Sequence, residues 1–207
     1  MQAMSDCGLQ SKRDRTNIAL SSKYKADNIF PNPHNLDIVQ ATLTDTQDKW
    51  NQILQGVSYV ILTVTPIDSK MKESDMIKVA NQGVESVLKA AIKNRAKKIV
   101  FTSSVHACNM KDKIIDESSW NDPKIAKKYP LSKTLSEMLA YDIFKSQTGD
   151  YKTEFCTMLP VFVVGPNILP KPQSTLYVVL ALMNNYCLSA HFQMPIVDLK
   201  SSYTCFK

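Results

Sequence analysis

Short apolar segments alternate with longer segments of helical periodicity along this 207-residue chain. Val57–Val64, Ile99–Ser103 and Phe155–Val164 are rich in β-branched or apolar residues, as strands buried on both faces are. Met71–Arg95 places its apolar residues on one face of a helix, and a second helix is predicted from about Pro130 to Phe144. The alternation predicts an α/β fold in which helices cover both faces of a parallel sheet.

Shorter elements are predicted towards the ends of this region. Leu36–Val39 resembles a strand, and either Thr44 or Asp45 is a suitable N-cap for the short helix that follows. Ile196–Leu199 is predicted as a last short strand. Gly83 lowers the propensity of the first long helix, so close backbone packing is the expected reason for its presence.

The charge and cysteine content narrow the functional classes. The formal net charge is +6, but no run of five basic residues occurs, so a solvated lysine surface is favoured over a nucleic-acid or anionic-membrane patch. The five cysteines are scattered and form no CxxC pair, which indicates reduced thiols in a reducing compartment. The three histidines are too dispersed to predict a metal site. Residues 1–20 do not resemble a signal peptide and no segment is long enough to span a membrane, so a cytoplasmic location is expected.

One stretch combines the residue types needed for proton transfer. The strand at Ile99–Ser103 is followed by Ser104, and Tyr129 and Lys133 come 25 and 29 positions later. Ligands of parallel sheets bind beyond the carboxyl ends of the strands, where Ser104 falls. Pro130 suits the first turn of a helix, which places Tyr129 at its positive end with Lys133 on the same face. An ammonium and a helix N-terminus both favour phenolate, so we expect a lowered pKa for Tyr129.

A simpler interpretation of the same residues stays open. Tyr129 and Lys133 are common residue types that can both lie exposed on a helix, and a serine after a strand can cap the following turn. The combination of strand, hydroxyls, intervening loop and helix start favours the catalytic interpretation.

These motifs resemble a known family. IVFTSS, DESSWNDP and YPLSKTLSE are similar to segments of the extended short-chain dehydrogenases/reductases, in the branch with dihydroflavonol reductases, cinnamoyl-CoA reductases and 3β-hydroxysteroid dehydrogenases. The resemblance implies a Rossmann-like fold with Ser104, Tyr129 and Lys133 as catalytic residues, and Asn109 as a substrate-selecting position. It implies NADP or NAD as cofactor, with NADP slightly favoured because Arg13 resembles an arginine at the end of the family's second strand. The residues that it places against the cofactor are Arg13, Thr42, Thr63, Thr65, Tyr129, Lys133, Pro160 and Val163.

The chain departs from the family pattern in three places. The GxxGxxG turn and the first βα unit are missing, since the first glycine, Gly8, stands alone. Thr42 occupies the position of the family's aspartate near the adenine, and the chain stops near Lys207, where more of a substrate domain is expected. We therefore expect truncation at both ends, with a partial cofactor-binding domain at 1–170 and the start of a small substrate-binding region at 171–207. Loss of the first strand is expected to leave its neighbours without hydrogen-bonding partners.

Two functions follow from the resemblance and the departures. The first is an NAD(P)-dependent oxidoreductase acting on a small carbonyl or alcohol substrate. The alternative is a catalytically inactive derivative that acts only by binding a partner or ligand, because catalytic residues without a positioned hydride donor cannot complete a redox step.

Overall fold

In the computed structural model of the chain, residues 8–12, 15–19, 36–63, 66, 71–109, 111, 114–165, 179–180, 183 and 196–198 are described. The chain divides into two compact units, Met1–Leu159 and Pro160–Lys207. This boundary precedes the predicted one after residue 170.

The first unit is built on a six-stranded sheet. Its strands are β1 (Gly8–Lys12), β2 (Arg15–Ala19), β3 (Leu36–Ile38), β4 (Val57–Leu62), β5 (Lys98–Thr102) and β6 (Glu154–Met158). Their order across the sheet is β3-β2-β1-β4-β5-β6, which is the strand order of Rossmann folds. The predicted α/β architecture is therefore confirmed.

One strand of this sheet, β1, is antiparallel to its neighbours, whereas a Rossmann fold has a parallel strand at this position. β1 lies at the centre and pairs antiparallel with both β2 and β4, whereas β2–β3, β4–β5 and β5–β6 are parallel. Only two residues separate β1 from β2, and so short a connection can join antiparallel strands but not parallel ones. The expectation that β2 and β4 lack hydrogen-bonding partners is wrong, because the reversed β1 pairs with both.

Three α-helices occur in the described part of the first unit: α1 (Gln47–Ile53), α2 (Glu73–Lys93) and α3 (Lys128–Lys145). The N-cap of α1 is Thr46, whose side chain accepts a hydrogen bond from the Lys49 backbone N–H at 3.3 Å. The prediction of Thr44 or Asp45 as the cap is thus wrong. The Asp45 carboxylate instead accepts from the Thr42 backbone N–H at 2.8 Å and so stabilises the turn before the helix.

The hydrophobic core lies between the sheet and the helices. β4 and β5 contribute the buried side chains of Val60, Leu62, Ile99 and Phe101, and α2 buries an apolar face that includes Val84 and Leu88. Gly83 also lies on that face, where an added Cβ would come within 2.4 Å of Leu43 Cδ2. The prediction that Gly83 permits close packing is therefore confirmed.

The second unit contains a two-stranded parallel sheet of β7 (Phe162–Val164) and β8 (Ile196–Asp198). The predicted strand at Ile196–Leu199 is confirmed, but the predicted continuous strand Phe155–Val164 is wrong. Pro160 lies in the break between β6 and β7, and proline has no N–H to donate to a sheet. No helix within the described residues is long and apolar enough to cross a membrane.

Candidate active site

The segment that follows β5 turns inward at the carboxyl end of the strand. Ser104 is only 6% exposed, and it is the N-cap of a 3-10 helix at Val105–Ala107. Its hydroxyl accepts a hydrogen bond from the His106 backbone N–H at 3.2 Å. Ser104 therefore caps this turn, as the simpler interpretation of the sequence allowed. Its side chain also lies beside Tyr129.

Helix α3 brings Tyr129 to Ser104. The helix begins at Lys128, so Tyr129 lies in its first turn, as predicted. The Ser104 side chain lies near enough to the Tyr129 phenol to act on its pKa, and the ring of His106 packs edge-on against the Tyr129 ring at 5.8 Å. A serine and a tyrosine 25 positions apart in the chain thus meet at the edge of the sheet where a Rossmann fold binds its ligands.

Lys133 lies one helical turn further along α3 and is 3% exposed. Its Nζ donates a hydrogen bond to the backbone carbonyl of Thr102 at 3.1 Å, and it lies 5.9 Å from the centre of the Tyr129 ring. Burial lowers the pKa of Lys133 to about 8, and the nearby carboxylate of Glu137 opposes that decrease. The ammonium is therefore close to the phenol ring but is anchored to the strand.

The pKa of Tyr129 is raised, whereas the sequence predicted that it would be lowered. Burial raises this pKa above its ordinary value, and the hydrogen bond with Ser104 only partly opposes the increase. Because desolvation disfavours phenolate, Tyr129 retains its proton at neutral pH. The expected lowering by Lys133 is not found, and the Lys133 Nζ is hydrogen-bonded to Thr102.

A buried carboxyl that the sequence analysis did not select lies beside this set. Glu137 is 3% exposed and accepts a hydrogen bond from the Ser103 hydroxyl at 2.5 Å, and Thr157 on β6 lines the same cavity. Burial raises its pKa, whereas the two hydroxyls and Lys133 act to lower it. The four-residue spacing between Lys133 and Glu137 could have indicated Glu137 as a neighbour of the site, because residues at this spacing share a helix face.

Glu137 also lines a cavity of about 280 Å³ within the first unit. The cavity is bounded by the segment after β5, the following loop, α3 and the end of β6. Its lining residues are Val105, Ala107, Cys108, Ile115, Asp116, Glu117, Ser119, Trp120, Glu137, Tyr141, Thr157 and Leu159. Neither Ser104 nor Tyr129 belongs to this lining, so the cavity adjoins the candidate catalytic set and does not contain it.

Two of the predicted cofactor-binding residues lie at the same edge of the sheet as Ser104. Thr42 follows β3 and Thr63 follows β4, and both are exposed beyond the carboxyl ends of parallel strands. Thr65 and Arg13 lie outside the described residues.

The segment around Arg13 was expected at the carboxyl end of a strand parallel to β5. Instead, Lys12 ends the reversed β1 and pairs with Val57 and Arg15, the first residues of β4 and β2. These neighbours of Arg13 therefore lie at the edge opposite Ser104, and the cofactor role of Arg13 itself stays a prediction.

The remaining predicted residues lie elsewhere in the chain. Pro160 and Val163 belong to the second unit, in the break before β7 and in β7 itself. Asn109 follows the 3-10 helix, donates its backbone N–H to the Ser119 carbonyl and accepts the Lys111 N–H with its side-chain oxygen. Their cofactor and substrate roles stay predictions.

The sequence profile of the 3-beta hydroxysteroid dehydrogenase/isomerase family matches residues 14–183. The chain belongs to this family. The extended short-chain dehydrogenase/reductase resemblance is thereby confirmed.

Curated relatives of the family include plant reductases. Anthocyanidin reductase of Arabidopsis thaliana is 30% identical over 76% of the chain and 54% of its own length. Dihydroflavonol 4-reductase of Gerbera hybrida is 32% identical over 77% of the chain and 45% of its own length. The chain thus spans about half the length of these relatives.

Solved structures with the same fold are more distant in sequence. UDP-glucose 4-epimerase of Thermotoga maritima, with UDP-glucose, superposes with a TM-score of 0.69 at 18% identity. This match covers 88% of the present chain and 60% of the epimerase chain. The enzyme WbmG of Bordetella bronchiseptica, in complex with NAD, superposes with a TM-score of 0.68 at 15% identity. This match covers 89% of the present chain and 56% of the WbmG chain. These similarities establish the Rossmann-like fold.

Proposed function

We propose that the chain acts as an NAD(P)-dependent oxidoreductase on a small carbonyl or alcohol substrate. The observation that carries the proposal is that Ser104, Tyr129 and a buried Lys133 lie together at the carboxyl end of β5. Family membership and the names of the plant reductases support the same class of reaction.

The geometry suits reduction of a carbonyl. Tyr129 keeps its proton at neutral pH and is positioned to give it to an oxygen that gains negative charge. Ser104, which lies beside Tyr129, would donate to the same oxygen and hold it in place. Lys133 would stabilise the phenolate that remains, because its ammonium lies 5.9 Å from the ring centre. A nicotinamide dinucleotide, when bound, would supply the hydride.

The described residues fit only one end of such a cofactor. Tyr129 and Lys133 are available to hold the ribose next to the nicotinamide. At the pyrophosphate end, a Rossmann fold uses a glycine-rich turn that leads from the first strand into a helix N-terminus. Here β1 is reversed and β2 begins three residues after it ends, so no helix follows β1, and no two of the five glycines are close in the sequence. The usual pyrophosphate cradle is therefore not formed by this segment.

The reversed β1 favours a second candidate function. A chain with the family's proton-transfer residues but without that cradle would serve as a binding or interaction protein and not as a catalyst. This candidate shares the fold and the site with the first, and differs from it in whether a dinucleotide binds.

Titration of the purified 207-residue chain with NADPH and with NADH distinguishes the two candidates. Binding is followed by quenching of tryptophan fluorescence, since Trp50 is buried in the core and Trp120 lies beside α3. Saturable binding at micromolar concentration, followed by oxidation of NADPH when a dihydroflavonol is added, is expected for the oxidoreductase. Lys133→Met should weaken this binding and Lys89→Met, an exposed change on α2, should not. Absence of binding by either dinucleotide would reject the oxidoreductase and favour the binding protein.

A further inference from the structure

Glu137 joins three elements of the first unit through buried polar contacts. It lies one turn after Lys133 on α3, accepts a hydrogen bond from Ser103 after β5, and lines the same cavity as Thr157 on β6. The network continues to Tyr141, whose hydroxyl lies 3.1 Å from Thr157 Oγ1. A carboxyl is thus held by the segment after β5 within the interior of the unit.

A buried carboxylate requires compensation, because removal from water is unfavourable unless hydrogen bonds and an opposite charge replace the lost hydration. The Ser103 hydroxyl supplies a hydrogen bond, and the Lys133 ammonium, which is anchored to the neighbouring residue Thr102, supplies an opposite charge nearby. The coupling is mutual: Glu137 acts to raise the pKa of Lys133, and Lys133 acts to lower the pKa of Glu137. Lys133 in turn is held from its other side by the Thr102 carbonyl.

We infer that Glu137 is a positioning residue, whose carboxylate is anchored by Ser103 and keeps Lys133 as an ammonium beside Tyr129. This inference rests on the proposed roles of Tyr129 and Lys133. Without the carboxylate, burial alone would act on Lys133, and more of it would be neutral near pH 8. A neutral amine would stabilise phenolate less, so the effect of Glu137 would reach Tyr129 through Lys133.

Other groups face this pair and belong to its electrostatic environment. Lys133 faces the rings of Tyr129 and Phe101, with its Nζ 5.8 Å from the centre of the latter. The titratable groups that line the cavity with Glu137 are Cys108, Asp116, Glu117 and Tyr141. Asp116 and Glu117 are exposed, so solvent screens their charges more strongly than that of Glu137.

The test is a direct titration of Lys133 in the full chain, which requires neither cofactor nor turnover. Protein labelled with 13C-lysine is titrated by NMR, and the Cε resonance of Lys133 is assigned by its loss in Lys133→Arg. Glu137→Gln, which keeps the shape but removes the charge, should shift the titration of Lys133 downwards. Glu137→Asp should restore most of the wild-type midpoint. Glu85→Gln, the same change at an exposed residue of α2, is the matched control and should leave Lys133 unchanged.

An unchanged Lys133 midpoint in folded Glu137→Gln would overturn the inference. If Glu137→Gln does not fold, the reciprocal experiment decides: in 13C-glutamate-labelled protein, Lys133→Met should raise the pKa of Glu137. A Glu137 titration that is the same with and without the Lys133 amine would refute the coupling.

The titration test of Glu137 and the activity test of the proposed function can fail independently of each other. Coupled titrations without any reductase activity would reject the oxidoreductase and leave Glu137 as the partner of Lys133. Activity with independent titrations would reject the role of Glu137 and leave the oxidoreductase. If both hold, Glu137→Gln should shift the alkaline limb of the kcat profile to lower pH with little change in KM, which a purely structural role would not produce.

Discussion

Glu73, in the first turn of α2, accepts a hydrogen bond from the backbone N–H of Lys128, the first residue of α3. The N-cap residue Lys127 makes no side-chain capping bond, so Glu73 performs this function from a neighbouring helix. Lys128 has a φ of 52°, a left-handed conformation that is unfavourable for a residue with a Cβ. The contact therefore fixes the backbone immediately before Tyr129.

Glu73→Ala should lower the free energy of unfolding by about 1 kcal/mol, the usual effect of losing a helix cap. The measurement is urea denaturation followed by circular dichroism. Glu85→Ala on the exposed face of the same helix is the control, because it removes only a surface pair with Lys89 and should cost about 0.5 kcal/mol or less. Equal effects of the two substitutions would show that the Glu73 bond does not cap α3.

Lys128→Gly should increase the free energy of unfolding by up to about 1 kcal/mol, since glycine adopts positive φ without the Cβ penalty. The same change at Lys89, within α2, should instead destabilise the protein by about 1 kcal/mol because that residue has ordinary helical geometry. Denaturation of the two variants side by side gives the comparison. Two losses of similar size would mean that Lys128 is not strained.

Gly83→Ala should destabilise the first unit, even though alanine is the better helix former. The added methyl would meet Leu43 Cδ2 at 2.4 Å and its Cβ at 2.8 Å, so the whole Leu43 side chain would have to move. Overpacking of this kind costs about 1–3 kcal/mol, against a gain in helix propensity of about 1 kcal/mol. The net loss is measured by thermal denaturation.

The double variant Gly83→Ala with Leu43→Ala provides the internal control for this contact. If the clash is the cause, the two changes should be less destabilising together than the sum of their separate effects. Strict additivity would place the cause elsewhere in the helix.

The elements that the sequence predicted well are those whose signal is local. β4 and β5 follow from uninterrupted apolar residues, and α2 follows from one apolar face, so their limits agree to within about two residues. The Ser104–Tyr129 proximity also followed from the motif, because the strand and the helix that carry these residues were both predicted.

The features that the sequence did not predict depend on partners distant in the chain or on competition between neighbours. β1 and β2 lie in a polar segment, and the reversal of β1 becomes visible only when its pairing with β4 is known. Thr46 rather than Asp45 caps α1, because Asp45 is engaged by Thr42. The burial of Glu137 depends on Thr157, which β6 brings from 20 positions further along the chain.

Raising the pH from about 8 towards 10 should increase the contribution of Lys133 to stability. Burial lowers its pKa from 10.5 to about 8 in the folded protein, so between these values the unfolded chain binds more protons than the folded one. The free energy of unfolding therefore rises with pH in this window, by about 1.4 kcal/mol per pH unit at most for one group. Below pH 8 both states are protonated and the cost of burying the ammonium is fully present.

The measurement is urea denaturation at a series of pH values, compared with Lys133→Met. Methionine fills a similar volume without a charge, so its curve should lack the rise between pH 8 and 10. The pKa of Tyr129 is raised above its ordinary value, so this residue opposes the rise only as the pH approaches 10, and it does so in both proteins. Parallel curves for the two proteins would contradict the assignment of the slope to Lys133.

Tyr129→Phe should abolish carbonyl reduction, if the chain has that activity, because it removes the proposed proton donor. The substitution removes the hydroxyl beside Ser104 but keeps the ring that packs against His106. A loss of at least about 100-fold in kcat is expected for removal of a general acid, and it should be measured as NADPH oxidation at saturating substrate. Tyr59→Phe is the matched control, because Tyr59 is exposed on β4 and should retain full turnover. Turnover by Tyr129→Phe equal to that of the Tyr59 variant would exclude Tyr129 as the proton donor, because no other change at the site accompanies the loss of its hydroxyl.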